Sequence, residues 1–503
     1  MSTHAAASTF GDYLKLFDSL LGAVEETAWS ARNLGQVARQ AYTRGIQDWQ
    51  QSRDDLGARS QQFSRFTSTA LALTRISAGY RVHRFKRAFV SQSSAREQLD
   101  ALHRVNARRF YRMSAEHGGA FVKVGQMLSA RADVLPEPWV RELSKLQDSL
   151  TPIPFSEVKA VIEHELGAPL AELFASFETQ PLAAASIGQV HRAVTHDGRE
   201  VAVKVQRPGI ESAVRADLGM LEVFVRTLGR DFAAVDADTL TQSIRSAVLR
   251  EVDYRSEAES TRRVSEFFVN DSRVHVPAPV DELCSDRVLT TLFVKGEKID
   301  VALNACAERR ANGDAFAGYT SSAILGRLLE AYLRQVLELG TFQADPHPGN
   351  LLVMDDDRIC VLDFGCTERL SPELQKRYVE LFCAGISGDR QKVATLLGEL
   401  GFETRSGRPD TLQHFADALL GELRQMASGN VSWPSSEQLA ERARLLLGAY
   451  REDPVVRLPP EFVMIGRVFM TLSGLFARYQ PQIDFGRHVM PVLGRALMAH
   501  GAM

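Results

Sequence analysis

Apolar residues recur with a helical period through most of this chain, and the stretches where that period is lost mark its other elements. Tyr13, Leu14, Leu16, Phe17, Leu20, Leu21 and Val24 form an early helical stripe, and weakly amphipathic helix is expected to about residue 95. Helices continue over 96–180, punctuated by Pro136, Pro138, Pro152, Pro154 and Pro169. From Pro181 the period shortens. Short β-prone runs surround a His196-Asp197-Gly198 turn, which predicts an antiparallel sheet. Residues 209–265 return to a helical pattern, 243–263 included, and 287–294 again reads as strand. Beyond Lys295-Gly296 helices resume. Two apolar runs, 351–353 and 359–362, flank the acidic turn Asp355-Asp356-Asp357 and predict a β-hairpin. The tail from about 370 is helical, with a loop near 429–436. A small sheet followed by a mostly helical half is an α+β order, the order of two kinase-like lobes. The expected segments are a helical extension (1–95), a further helical segment (96–180), a small lobe with a helical insert (181–296), a large lobe (297–400) and a helical C-terminal region (401–503).

A length of 503 residues with 45% hydrophobic content is enough for large cores in more than one domain. The net charge of -3 gives no global push toward nucleic acid, and none is expected as a partner. The charge is unevenly spread. Arg75, Arg81, Arg84, Lys86, Arg87, Arg96, Arg104, Arg108, Arg109 and Arg112 face only Glu97 and Asp100. Such a stripe suits anionic lipid headgroups or acidic protein surfaces, and it equally suits a solvated helix face. Five cysteines without a Cys-x-x-Cys pair fit a reducing compartment. The N-terminus lacks a basic region followed by an apolar core, so no secretory signal is read there. The apolar run at 462–477 is interrupted by Arg467 and reads as a buried helix rather than a span of ~18 apolar residues.

Candidate chemistry concentrates in residues 343–365. Asn350 follows Asp345 by five residues, and the Asp-Phe-Gly triplet opens at Asp363, thirteen residues after Asn350. That is the protein-kinase spacing. A hairpin between Asn350 and Asp363 holds its ends side by side, so both could ligate magnesium on a nucleotide, with Asp345 as the catalytic carboxylate. In the small lobe Lys204 projects from the strand Val-Ala-Val-Lys-Val, where a kinase-like fold clamps the α- and β-phosphates, and Glu257 is the expected acidic partner. Phe293 and Val294 then lead to a hinge whose backbone could meet adenine. Where a kinase has Gly-x-Gly-x-x-Gly, this chain has Ala183-Ala184-Ala185-Ser186-Ile187-Gly188. The added β-carbons restrict that loop, so it should cover nucleotide differently.

With these motifs in order the chain resembles the UbiB or AarF family of atypical kinase-like proteins, associated with ubiquinone biosynthesis. The resemblance rests on Lys123, Gly125 and Gln126 of a Lys-x-Gly-Gln motif, on the alanine-rich loop, on Glu251 and Asp253 of a Glu-x-Asp motif, and on Gln-Ala-Asp-Pro-His-Pro-Gly-Asn with Asp-Phe-Gly. It covers roughly residues 96–370. It implies a kinase fold with an N-terminal helical element that lays Lys123 and Gln126 over the active site, near Glu251 and Asp253. It further implies ATPase or small-molecule phosphotransferase activity linked to membranes and prenylated quinone intermediates. Leu292 departs from the acidic residue often found before the hinge. The pair of C-terminal membrane spans carried by some bacterial members is missing here, so attachment is expected to be peripheral.

The expected function is therefore an Mg-ATP-hydrolysing atypical kinase-like enzyme, peripheral at the inner face of the cytoplasmic membrane, with Lys204, Glu257 and Asp345 catalytic. Ala183, Ala184, Ala185, Ser186, Lys204, Leu292 and Val294 are expected to hold nucleotide, and Asn350 and Asp363 the metal. Expected partners are ATP, anionic lipid, prenylated quinone precursors and quinone-biosynthesis enzymes, with a second copy of the chain as a candidate. A protein or small-molecule kinase, or a nucleotide-gated scaffold that extracts lipid, would use the same residues.

Overall fold

The computed structural model describes residues 56–87, 89–129, 135–146, 152–185, 187–228, 237–312, 320–406, 412, 433, 438 and 455–500. The stripe from Tyr13 to Val24, Ser186 and most of the 429–436 loop lie outside the described residues. The chain divides into two compact units, one built from 1–151, 184–187 and 208–249, the other from 152–183, 188–207 and 250–503.

The first unit is helical, with α1 (Leu56–Lys86), α2 (Gln92–His117), α3 (Gly119–Ser129) and α4 (Glu137–Leu143). Leu73, Ile76 and Tyr80 recur at helical spacing and are buried, as are Phe110, Phe121 and Trp139. Three polar side chains inside this core pair with one another: Trp139 Nε1 donates to Tyr80 OH at 3.0 Å, and that hydroxyl lies 2.8 Å from His103 Nδ1. Burial pushes the His103 imidazole down to about 4, so it stays neutral at physiological pH. Gly125, the glycine of Lys-x-Gly-Gln, has a packing reason, since a Cβ there would lie 2.2 Å from Leu146 Cδ1. The basic stripe needs a correction. Arg75, Lys86 and Arg87 are exposed and Arg84 is half-buried, but Arg81 is only 5% exposed, because it shares the inward face of α1 with Ser77 and Tyr80.

The second unit opens with α5 (Phe155–Leu166), β1 (Ser176–Phe177), β2 (Gly188–Val194) and β3 (Glu200–Gln206). The chain then returns to the first unit for α6 (Ile210–Leu228) and most of α7 (Ala237–Glu251), and the second unit resumes with α8 (Tyr254–Phe267), β4 (Val274–His275) and β5 (Val288–Leu292). Strands β1, β2, β3 and β5 are antiparallel neighbours in that order. Alternation along β3 sends Val201, Val203 and Val205 into a core with Val158 and Ile162 of α5. The same alternation turns Ala202 and Lys204 to the other, half-buried face. The helical pattern over 243–263 is divided between two helices. Asp253 has φ −107° and its side chain accepts from Ser256 N–H at 3.0 Å, so the carboxylate caps α8 and ends the run from α7.

The larger part follows with β6 (Glu297–Lys298), α9 (Ile299–Asn312) and α10 (Ser321–Arg334), which continues as a π-helical turn at Gln335–Leu339. Next come β7 (Thr341–Gln343), β8 (Leu351–Val353), β9 (Ile359–Val361) and β10 (Thr367–Arg369). The predicted hairpin is β8–β9, with Leu351 opposite Val361, and it sits inside a four-stranded sheet of order β4–β9–β8–β6. Helices α11 (Pro372–Ser387), α12 (Arg390–Glu399), α13 (Pro460–Tyr479), α14 (Phe485–His488) and α15 (Met490–Ala499) complete the unit. Among the described residues α13 is the one helix long and apolar enough to cross a membrane by length and composition, although it was expected to be too short an apolar run. It contributes a stripe of Ile465, Val468, Leu472 and Phe476 to the core of this unit.

Candidate active site

Lys204 reaches from β3 to both oxygens of Glu257 on α8, at 2.7 and 2.9 Å, and lies 3.4 Å from Asp363 Oδ2. Tyr254 places its ring 5.0 Å below the ammonium. Because Tyr254 opens the capped helix, the break at Asp253 aims both Tyr254 and Glu257 at the lysine. Burial disfavours the Lys204 charge, but Asp363 and Glu257 outweigh it and hold the ammonium well above the usual lysine range. Glu257, with its side chain 2% exposed, is pushed up to about 7 by burial, against the pull of Lys204. The lysine stays charged and its partner is a carboxyl poised near neutrality.

Asp363 adopts a left-handed backbone, φ 58°, and its Oδ1 accepts from Gly365 N–H at 3.1 Å. Gly365 is tightly packed, as a Cβ would meet Asp363 Oδ1 and Glu257 Oε2, each at 3.2 Å. Asn350 is brought alongside by the hairpin, where Leu362 N–H donates to Asn350 C=O at 2.8 Å. Asn350 Nδ2 also donates to Asp345 C=O at 3.4 Å, which joins the catalytic loop to the metal side. An amide oxygen and a carboxylate are hard donors suited to magnesium, and among the described residues no group of three or more His, Cys, Asp or Glu could hold a metal. By donor chemistry alone these two fit an ion whose remaining ligands are phosphate oxygens and water.

Three buried side chains behind the loop had no role in the sequence reading. Gln343 Nε2 donates to the carbonyls of Leu362 and Asp363 at 3.1 and 3.2 Å, while its Oε1 accepts from the Tyr332 hydroxyl. Its backbone N–H donates to Gln335 Oε1 at 3.1 Å, from the π-helical turn. This network ties the strand before Asp345 to the strained backbone of Asp363. A fourth unforeseen residue is Arg467, whose Nη2 lies 3.3 Å from Asp345 Oδ1. The signals were present as a glutamine two residues before Asp345 and an arginine interrupting an apolar run.

Leu292 ends β5, and its N–H is committed to Ala278 C=O at 3.0 Å. With Phe293, Val294, Lys295 and Met354 it lines a cleft of about 530 Å³ along the hinge. Lys204, Asp345 and Asp363 are not in its walls. Glu251 and Asp253 belong to the second unit, Asp253 as the cap of α8; Lys123 and Gln126 lie on α3 of the first, where Gln126 Nε2 donates to Leu146 C=O at 3.3 Å. Ala183 closes a segment of the second unit, and Ala184 and Ala185 are grouped with the first.

Asp345, Asn350 and Asp363 across a hairpin, and a Lys204–Glu257 pair reaching Asp363, are ordered as in a kinase-like site. Residues 145–397 match the ABC1 atypical kinase-like domain, half of the chain. The chain belongs to the ABC1 atypical kinase-like family. It is 35% identical over 376 residues to Protein ACTIVITY OF BC1 COMPLEX KINASE 7, chloroplastic, of Arabidopsis thaliana, covering 74% of this chain and 52% of that protein. It is 31% identical over 374 residues to an uncharacterized protein of Synechocystis, covering 73% and 63% respectively. The chain thus spans between half and two thirds of the length of these relatives. A solved structure, described as the complex of Rv3197 with erythromycin from Mycobacterium tuberculosis, shares its fold with TM-score 0.54 and 24% identity, over 79% of this chain and 98% of that one. The α+β kinase-like fold and the family expected from the motifs both hold.

Proposed function

We propose that this ABC1-family protein binds Mg-ATP and hydrolyses it at a membrane surface, in support of prenylated quinone biosynthesis. The observation that carries the nucleotide chemistry is the convergence of Lys204, Glu257 and Asp363, with Asn350 and Asp345 joined to them through the hairpin. Lys204 would clamp phosphates, Asp363 and Asn350 would hold magnesium, and Asp345 would orient and deprotonate water or a small hydroxyl. The bound ion would neutralise charge on the phosphates. A water or small-molecule acceptor is favoured over a protein hydroxyl by the alanine-rich loop in place of the glycine-rich one, together with the family's Lys-x-Gly-Gln segment. The quinone link rests on the family resemblance alone.

The membrane component draws support from the first unit. Phe89, 58% exposed, and exposed Val82 and Val90 lie close in sequence to exposed Lys86 and Arg87. Apolar tips flanked by cations suit an anionic bilayer surface. The same site would serve a kinase, the activity carried in the printed name of the Arabidopsis relative. The test is nucleotide turnover with and without anionic liposomes, comparing the parent with Asp363→Asn. The parent should release phosphate and the variant should not. Binding of ATP without turnover under either condition would sink the ATPase reading in favour of a nucleotide-gated scaffold, and labelled phosphate on an added protein would favour a kinase.

A further inference from the structure

Arg467 sits on α13, seventy residues beyond the end of the matched domain at 397, yet its guanidinium touches the catalytic loop. The helix around it packs through Ile465, Val468 and Leu472, so the arginine interrupts an apolar surface. Its side chain is 20% exposed. Burial opposes its charge, and Cys366, Asp345 and Glu251 compensate, holding the guanidinium above its usual range. The contacts are directional. Nη2 meets Asp345 Oδ1 at 3.3 Å, and Nη1 meets the sulfur of Cys366, which follows Asp-Phe-Gly, at 3.7 Å. One planar group therefore spans from the catalytic carboxylate to the segment after Asp363, a reach that a point-charge lysine lacks.

We propose that Arg467 is the positioning residue of Asp345. It holds that carboxylate through Oδ1, presents Oδ2 to the acceptor, and thereby makes the C-terminal helix α13 part of the catalytic machinery. The inference rests on the reading of Asp345 as the proton acceptor. A helix staple is the competing role, and the two differ in what they predict. Removing one partner of a buried ion pair that only staples lowers stability and leaves the turnover of the folded protein unchanged. A positioning contact acts on turnover and leaves nucleotide affinity alone.

The experiment uses the full chain with Arg467→Ala, Arg467→Lys, Asp345→Asn and the Arg467→Ala/Asp345→Asn pair, reading kcat, KM for ATP and the melting shift caused by Mg-ATP. Arg467→Ala should lower kcat by about 10- to 100-fold, within the ~10²–10⁴ contributed by a positioned base. Its KM and Mg-ATP melting shift should match the parent, Arg467→Lys should recover part of kcat, and the double variant should be no slower than Asp345→Asn. A lowered melting temperature with parental kcat makes Arg467 a staple and overturns the proposal, as does a raised KM with unchanged kcat. Parental turnover in Asp345→Asn, or none in the parent, removes the reading of Asp345 itself and this inference with it. An inactive Asp345→Asn beside a fully active Arg467→Ala removes this inference alone.

Discussion

Replacing Gln343 by leucine keeps the volume of a fully buried side chain but deletes every bond its amide makes. The Tyr332 hydroxyl loses its acceptor, and the carbonyls of Leu362 and Asp363 lose a donor at 3.1 and 3.2 Å. Tyr332 and Gln343 are both 0% exposed, so water cannot substitute at the hydroxyl. Each buried group left unpaired costs about 1–3 kcal/mol. Three such groups, discounted because the Asp363 end is partly open, amount to about 3–5 kcal/mol. At roughly 2–4 °C per kcal/mol for a large domain, melting should fall by roughly 6–20 °C. Turnover should fall as well, because Asp363 holds a left-handed φ of 58° that an aspartate adopts at a cost and that this amide helps to fix. Tyr332→Phe, which removes one hydroxyl, should cost about 1 kcal/mol and serves as the graded control. Calorimetry or fluorescence melting with steady-state ATP turnover reads both effects. Melting within 2 °C of the parent together with unchanged kcat would refute the assignment of this network as the support of Asp363.

Two further outcomes follow from charge. A carboxyl raised to about 7 is protonated at pH 6 and ionised at pH 8, so Glu257 should release its hold on Lys204 as pH falls, and ATP turnover should decline below about pH 7. Glu257→Gln should lower the rate and flatten that limb; an unchanged acid limb would assign it to another group. At the membrane, converting Arg84, Lys86 and Arg87 to glutamine should weaken sedimentation with anionic liposomes by up to about 100-fold, at ~1 kcal/mol for each basic residue near the surface. Buried Arg81 should instead change melting when replaced, and liposome binding that survives the triple change would refute the surface assignment.

The sequence by itself determined in what local element each candidate site residue lies. The hairpin from Leu351 to Val361, the strand carrying Lys204 and the pairing with Glu257 were legible because periodicity and turn chemistry are short-range, and because kinase-type spacing ties Asp345, Asn350 and Asp363 to one hairpin. The break at Asp253 was not legible, since helical periodicity persists through it and only the cap's hydrogen bond to Ser256 decides against one long helix. Arg81 was misread as surface charge for the same reason, a basic run along sequence saying nothing of which helix face turns inward. Tertiary structure alone decided that Arg467, more than a hundred residues after Asp345, meets its carboxylate, and that Gln343 braces Asp363 from behind. Such contacts are set by how helices and strands pack around a shared core, and long-range packing leaves no period in the sequence to read.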